Sequence, residues 1–160
     1  MHLAVGTCPD IAFAVSTVTQ FNNVPGEPHW EAIKQIYRYL SGTKSFTLTF
    51  RGVEKGLKGY TNADGASQEH RHAISGYAYL LDGGAVSWAS RKQELVMLST
   101  AEAEYVAATH AAKEGLWLRQ LIGEVFRPLA HQIPLHLDSQ SAIVLMKDGS
   151  YHARTKHIDI

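Results

Sequence analysis

The spacing of apolar positions changes twice along the chain: it is helical to about residue 42, strand-like to about residue 90, and helical again from Ser99. Two early segments, CPDIAFAVSTVTQF and EPHWEAIKQIYRYLSG, repeat apolar side chains every three or four residues. This period predicts two helices. Pro9 suits the first turn of the first helix, and Gly42 suits the end of the second.

The middle of the chain has the pattern of strands. SFTLTF alternates apolar and polar residues, and LKGYTNAD follows it after the turn-like RGVEKG. SGYAYLL and AVSWAS flank Asp82, Gly83 and Gly84, which is typical of a tight hairpin. ELVMLS is either a further strand or the end of a bent one. We therefore expect an antiparallel meander here.

The last third of the chain returns to a helical pattern. A long helix is predicted from Ser99 to Ile122, because one stripe of small and apolar residues suits close packing against a sheet. The stripe consists of Ala101, Tyr105, Ala108, Ala112, Gly115, Leu118 and Ile122. IPLHL then predicts a strand, and SQSAIVLMKDG a short helix that Gly149 closes. The whole order predicts an α/β fold, a mixed sheet flanked by helices, with an N-terminal helical extension.

Composition excludes several classes of protein. A chain of 160 residues suffices for one domain with a core, and its formal charge of zero gives no overall basic field for nucleic acid. Cys8 is the single cysteine, which excludes a disulfide framework and a thiolate cluster. Asp10 interrupts the apolar start, and no stretch reaches the roughly 20 residues that span a bilayer. We expect an intracellular protein of cytoplasm or nucleus, not secreted, with no membrane partner.

Acidic residues stand at three places where strands and helices meet. GYTNADGAS carries Asn62 and Asp64 on one side of an extended chain, STAEAEY begins the long helix, and LHLDSQS places Asp138 after a strand. Carboxylates that converge are typical ligands of Mg²⁺ or Mn²⁺. Two such ions about 4 Å apart activate water and stabilise the leaving oxygen in phosphodiester cleavage.

The two glutamates of STAEAEY have different predicted roles. Ser99 and Glu102 have the spacing of a capping box, a structural role. Glu104 stands at the edge of the predicted buried stripe, where a carboxylate needs a partner. That partner is either a divalent cation or a nearby Lys or Arg, and the sequence leaves both interpretations open.

Several of these segments together resemble a known family. GYTNADGAS, SGYAYLLDGGAVSWASRKQ, LSTAEAEYVAATHAAKEGLWLRQLI, DSQSAI and RTKHIDI resemble the ribonuclease H domain of copia-type LTR retrotransposon polyproteins. LAVGTCPDIAFAVS and HWEAIKQIYRYLSGTK resemble the thumb-like C-terminal end of the reverse transcriptase in the same polyproteins. The resemblance implies a helical thumb or connection-like segment at 1–45 and a ribonuclease H-like domain at 46–160.

The resemblance also implies an activity. Such domains cleave the RNA strand of RNA–DNA hybrids with two Mg²⁺ or Mn²⁺ ions, held by acids in the order Asp, Glu, Asp, Asp. Glu104 matches the second position and Asp138 the third, whereas Asn62 stands where the first catalytic Asp is expected. Asp64 matches a second, often acidic position and is a candidate partial replacement. The implied catalytic set is Asn62, Asp64, Glu104 and Asp138, the implied metal ligands are the last three, and the neutral Asn62 implies impaired activity.

The family pattern continues beyond this chain. A further strand and a helix with the fourth Asp are expected after RTKHIDI and are missing, and Asp159 matches the connecting helix rather than that ligand. The missing strand would leave the strand before Asp138 at a sheet edge, which favours pairing with a second copy. The polymerase palm is also missing, so we expect no polymerase activity.

The expected partner is an RNA–DNA hybrid or another nucleic acid. The candidates for backbone contacts are Arg91, Lys92, Arg154 and Lys156, which are alternatively ordinary surface charges. A second hypothesis is a non-catalytic module of the same fold that binds nucleic acid or protein. An integrase-type nuclease, with its Asp-Asp-Glu order, is disfavoured because Glu104 precedes Asp138.

Overall fold

The computed structural model describes residues 1–50, 56–64, 72–97, 99–126 and 132–147, which form helices around a mixed sheet. The mixed α/β prediction is confirmed. The helices are α1 (His2–Gly6), α2 (Ala12–Thr19), α3 (Glu27–Gly42), α4 (Thr100–Val125) and α5 (Gln140–Lys147), with a 3₁₀ turn at Pro9–Ile11. The strands are β1 (Leu57–Asp64), β2 (Ile74–Leu81), β3 (Gly84–Lys92) and β4 (Leu135–His136).

The sheet has the order β3-β2-β1-β4. β2 pairs antiparallel with both β1 and β3, whereas β4 pairs parallel with β1 and is an edge strand of the described sheet. The predicted hairpin between β2 and β3 is confirmed. Asp82 and Gly83 have φ angles of 51° and 86°, the left-handed conformation that a tight two-residue hairpin turn requires.

Tyr79 of β2 joins the sheet to α4. Its side chain is 1% exposed, and its hydroxyl donates a hydrogen bond to the carbonyl oxygen of Ala111 at 2.6 Å. A Cβ atom on Gly59 would lie 2.6 Å from the ring, and one on Gly115 would lie 2.9 Å from Cζ. Because both positions are glycine, α4 approaches the sheet closely enough to enclose the ring between helix and strand.

The buried face of α4 differs from the predicted stripe. Ala108, Gly115, Leu118 and Ile122 are buried as predicted, but Ala112 is exposed, and Ala101 and Tyr105 are half-buried. The actual face also includes Ala103, Glu104, Val106, Ala107 and Ala111. The prediction was wrong in this part because alanine occurs on both sides of the helix and does not mark which side is buried. Glu104 consequently lies within the buried face rather than at its edge.

The N-terminal helices pack on the face of the sheet that α4 leaves open. Trp88 of β3 donates a hydrogen bond from Nε1 to the carbonyl oxygen of Ala4 at 2.7 Å. Tyr39 of α3 donates to Asp10 at 2.6 Å, which ties α3 to the 3₁₀ turn. The two predicted N-terminal helices are present as α2 and α3, although Pro9 begins the 3₁₀ turn before α2 rather than α2 itself. No helix in the described ranges is long and apolar enough to cross a membrane.

Two predicted strands are absent from the described residues. Residues 46–50 of SFTLTF form no strand, and Phe46 is 71% exposed, although Phe50 covers Gly84 at the hairpin. Residues 94–97 of ELVMLS are also irregular. These predictions were wrong because alternation describes side chains, whereas a strand also needs a neighbouring backbone to pair with.

The packing of Tyr79 predicts opposite effects for two alanine substitutions in α4. Gly115→Ala should destabilise the protein by about 1–3 kcal/mol, because the new methyl group collides with the enclosed ring. Gly123→Ala should gain up to about 1 kcal/mol, because alanine is the better helix former and no atom lies within 4 Å of the new Cβ. Urea denaturation measures both, and equal effects would contradict the packing described.

Candidate functional site

The candidate site lies where β1 and β4 stop pairing. The two parallel strands are in register from Gly59–Leu135 to Tyr60–His136, and the amide of Gly59 donates to the carbonyl oxygen of Pro134 at 2.9 Å. The amide of Ala63 points to the same side, because alternate amides of a strand share a direction. It donates instead to Oε1 of Glu104 at 3.0 Å. A helix carboxylate thus takes the place of a strand partner.

Glu104 holds this position from the first turns of α4. Ser99 caps the helix, since its Oγ accepts a hydrogen bond from the Glu102 amide at 3.3 Å, so the N-cap prediction is confirmed. Glu104 is 6% exposed, and its Oε2 is buried without a hydrogen-bond partner among the described residues. A buried, unpaired carboxylate oxygen is costly unless something binds it.

The electrostatics of the site follow from this burial. Burial raises the pKa of the Glu104 carboxyl, the hydrogen bond from the Ala63 amide lowers it, and the negative charge of Asp138 raises it further. Asp138 is exposed and lies between β4 and α5. The structure therefore brings Glu104 and Asp138 to the same end of two parallel strands, a usual place for ligand binding in α/β sheets.

Asn62 and Asp64 lie on the face of β1 that is turned away from α4. Both side chains are exposed, whereas Ala63 between them packs against the apolar cluster under α4. The two polar residues line a cleft of about 340 Å³ together with Phe13 and Trp88, on the side of the N-terminal helices. The two side chains lie on the same side of β1, as predicted. Their roles as catalytic residue and metal ligand stay predictions.

The donor set available for a cation is small. In the ranges that the structure describes, no three or more His, Cys, Asp or Glu side chains form a group that could hold a metal ion. Glu104 and Asp138 supply two carboxylates, and the unpaired Oε2 fits a hard cation. The described residues therefore supply only two carboxylates for a divalent cation.

The predicted nucleic-acid contacts are only partly within the described residues. Arg91 and Lys92 are exposed at the end of β3 and line a groove of about 660 Å³ beside α4, together with Lys113 and Glu114. The other two candidates, Arg154 and Lys156, lie outside the described residues, as does Asp159.

Two features of the site were missed from the sequence. The backbone amide of Ala63 holds Glu104, but no side-chain pattern identifies a backbone donor. Gln93 follows β3 and donates to Ser75 and to the carbonyl oxygen of Ala103. It stands in SWASRKQ, where a single glutamine after a strand has no period that would mark it as buried.

This arrangement defines a class of protein: a mixed α/β domain with an acidic pair at the carboxyl ends of two parallel strands. Comparison with curated proteins finds transposon polyproteins. In an alignment of 161 positions, the chain is 48% identical to the retrovirus-related Pol polyprotein from transposon TNT 1-94 of Nicotiana tabacum. The alignment covers 100% of this chain and 12% of that protein. The chain is 32% identical over 154 residues to the corresponding protein from transposon RE2 of Arabidopsis thaliana, covering 95% of this chain and 11% of that protein.

A third relative is much shorter. The chain is 45% identical over 120 residues to Secreted RxLR effector protein 161 of Plasmopara viticola, covering 74% of this chain and 84% of that protein. No family model and no solved structure matches the chain. The chain belongs to the copia-type retrovirus-related Pol polyproteins from transposons, as the resemblance implied. It spans about one eighth of the length of the polyproteins it matches.

The raised pKa of Glu104 predicts how its substitution depends on pH. A carboxyl with a raised folded-state pKa contributes stability that is present below its unfolded-state pKa and is lost as pH rises through the folded-state pKa. Glutamine does not ionise, so the Glu104→Gln variant does not undergo this loss of stability as the pH rises. We therefore expect the unfolding free energy of Glu104→Gln, relative to the natural chain, to increase from about pH 4 to about pH 7.

Chemical denaturation at each pH, in the presence of a chelator, measures this difference. The reference variant is Glu124→Gln, an exposed glutamate of the same helix that accepts a hydrogen bond from Gln120. The same pH dependence in both variants would show that burial of Glu104 is not its cause.

Proposed function

We propose that the chain is the ribonuclease H-like part of a copia-type polyprotein, by descent a two-metal endonuclease that cleaves RNA in RNA–DNA hybrids and is impaired at Asn62. One observation carries the proposal: Glu104 is buried with one oxygen unpaired at the separated ends of β1 and β4, where the negative charge of Asp138 acts on it. The motif that resembles the family thus coincides with a costly carboxylate that suits a ligand role.

Glu104 and Asp138 are the residues that would hold Mg²⁺ or Mn²⁺. The alternative partner for Glu104, a Lys or Arg, is not found within the described ranges, since Oε1 accepts from Ala63 and Oε2 accepts from no group there. A bound cation supplies charge stabilisation at a phosphate oxygen and a more acidic bound water. The Ala63 amide fixes one oxygen of Glu104 and leaves the other for this role.

Asn62 is the proposed cause of impairment. An asparagine keeps the shape and one oxygen of the expected aspartate, but its neutral amide cannot balance the charge of two dications. Asp64, which lies on the same face of β1 as Asn62, is the proposed partial replacement for the expected aspartate. Together with Glu104 and Asp138 it would supply three of the four acids that the resemblance implies.

The proposed partner is an RNA–DNA hybrid. Arg91 and Lys92 are exposed at the last two positions of β3, and both line the groove along α4. Cationic side chains in such a position contact phosphates and contribute affinity without reading sequence. Arg154 and Lys156 are proposed for the same role.

A second candidate function is supported by the shorter relative. Secreted RxLR effector protein 161 consists largely of the segment that matches this chain, since the match covers 84% of its length. A segment of this family therefore also occurs outside a polyprotein. We propose as the alternative that the chain is a non-catalytic module that binds nucleic acid or protein through the same fold.

Restoring the acid at position 62 tests the first proposal against the second. Asn62→Asp should increase Mn²⁺-dependent cleavage of a labelled RNA–DNA hybrid by at least about tenfold, because the added charge is worth a few kcal/mol at a cation site. The control is the double variant Asn62→Asp with Glu104→Gln, which should lose the gain.

The other outcomes of this assay are also informative. Equal cleavage by the natural chain and Asn62→Asp would contradict the role given to Asn62 and favour Asp64 as the ligand. Absence of cleavage in every variant, with hybrid binding retained, would favour the non-catalytic module.

A further inference from the structure

Gln93 is a buried polar residue to which the proposed function gives no role. It follows the last residue of β3, is 4% exposed, and donates its backbone amide to the carbonyl oxygen of Ala73 at 2.7 Å. Its side-chain Nε2 donates to Oγ of Ser75 at 2.6 Å and to the carbonyl oxygen of Ala103 at 2.9 Å. One side chain thus links the beginning of β2 to the beginning of α4.

The two partners of Gln93 adjoin the two halves of the Glu104 contact. Ser75 pairs with Ala63 across β1 and β2, and Ala63 is the residue whose amide binds Glu104. Ala103 directly precedes Glu104 in α4. Gln93 therefore fixes the strand position that donates to Glu104 and the helix turn that carries it.

The orientation of the Gln93 amide shows that its donors determine the arrangement. Oε1 is buried and has no hydrogen-bond partner among the described residues. Exchanging the oxygen and nitrogen positions would place an acceptor against the Ala103 carbonyl oxygen, which has no hydrogen to donate. The side chain therefore satisfies two acceptors and leaves its own acceptor unpaired, which costs free energy.

A restraint of this kind is needed at the beginning of α4. A buried carboxylate is drawn towards water, so the first turns of the helix tend to move away from the sheet and hydrate Glu104. Half of the apolar cluster there is alanine, since Ala63, Ala73 and Ala103 pack with Met97, Tyr105 and Val106. Hydrogen bonds from Gln93 oppose that movement at the residue next to Glu104.

We propose that Gln93 is a positioning residue that holds Glu104 on the Ala63 amide and so keeps Oε2 in place to bind a cation. The consequence for cation binding rests on the proposed function. The positioning itself does not, because it concerns only the hydrogen bond from the Ala63 amide to Glu104.

Amide hydrogen exchange in the metal-free full chain tests the positioning. In Gln93→Met, which keeps the length of the side chain but removes both donors, the Ala63 amide should exchange roughly tenfold faster relative to the natural chain. The Gly59 amide is the internal reference, since it lies on the same edge of β1 but donates to Pro134. The exchange rate of the Gly59 amide should rise only by the factor that the loss of global stability accounts for.

Ile122→Ala is the matched variant, because it removes a buried side chain from the last turns of α4 rather than from its first turns. There the Ala63 and Gly59 amides should accelerate by the same factor. Equal acceleration of both amides in Gln93→Met as well would overturn the proposal and leave Gln93 with a general stabilising role. If Gln93→Met does not fold, Ser75→Ala removes one acceptor only and should still accelerate Ala63 more than Gly59; equal factors there would also overturn it.

Mn²⁺ titration then separates the two proposals. If Glu104 binds the cation, the natural chain and Ile122→Ala should bind Mn²⁺ alike, whereas Gln93→Met should bind it roughly tenfold more weakly because Glu104 is no longer held. If no variant binds Mn²⁺, the cation role fails while the exchange result still decides the positioning. Unchanged Mn²⁺ binding in Gln93→Met, with binding lost in Glu104→Gln, would contradict the link from Gln93 to the cation.

Discussion

The position of α4 depends on the enclosure of Tyr79 between Gly59 and Gly115. The ring fills the space that two missing Cβ atoms leave, and its hydroxyl donates to Ala111 in the middle of the helix. Burial raises the pKa of Tyr79 to about 12, so the hydroxyl keeps the proton that it donates at any ordinary pH. This contact fixes both the distance and the rotation of α4 relative to the sheet.

The location of Glu104 follows from that rotation. With Gly115 against Tyr79, the residue eleven positions earlier, three helical turns away, lies on the same face of α4. Glu104 is therefore directed at the sheet, at the point where β1 and β4 separate and the Ala63 amide lacks a strand partner. The packing of α4 thus forces the Glu104 carboxylate to be buried, which costs free energy. A ligand role for Glu104 would explain why a carboxylate stands at this position.

The sequence predicted β1, the hairpin and α4 because their patterns are local: alternation, a turn that needs left-handed residues, and a capped helix. Asp138 was predicted at a strand end for the same reason, and β4 precedes it. SFTLTF was mispredicted because strand pairing is not local. The buried face of α4 was only partly predicted, since alanines surround it. The roles of Ala63 and Gln93 depend on contacts between residues distant in sequence, which no spacing reveals.

Glu104 and Asp138 are proposed to form a cation site at the separated ends of β1 and β4. The most direct measurement is paramagnetic broadening of the assigned amide resonances during titration with Mn²⁺. The amides of Ala63 and Asp138 should broaden first, and Glu104→Gln should remove this effect. Broadening that begins elsewhere in the chain, or that persists unchanged in Glu104→Gln, would contradict the proposed cation site.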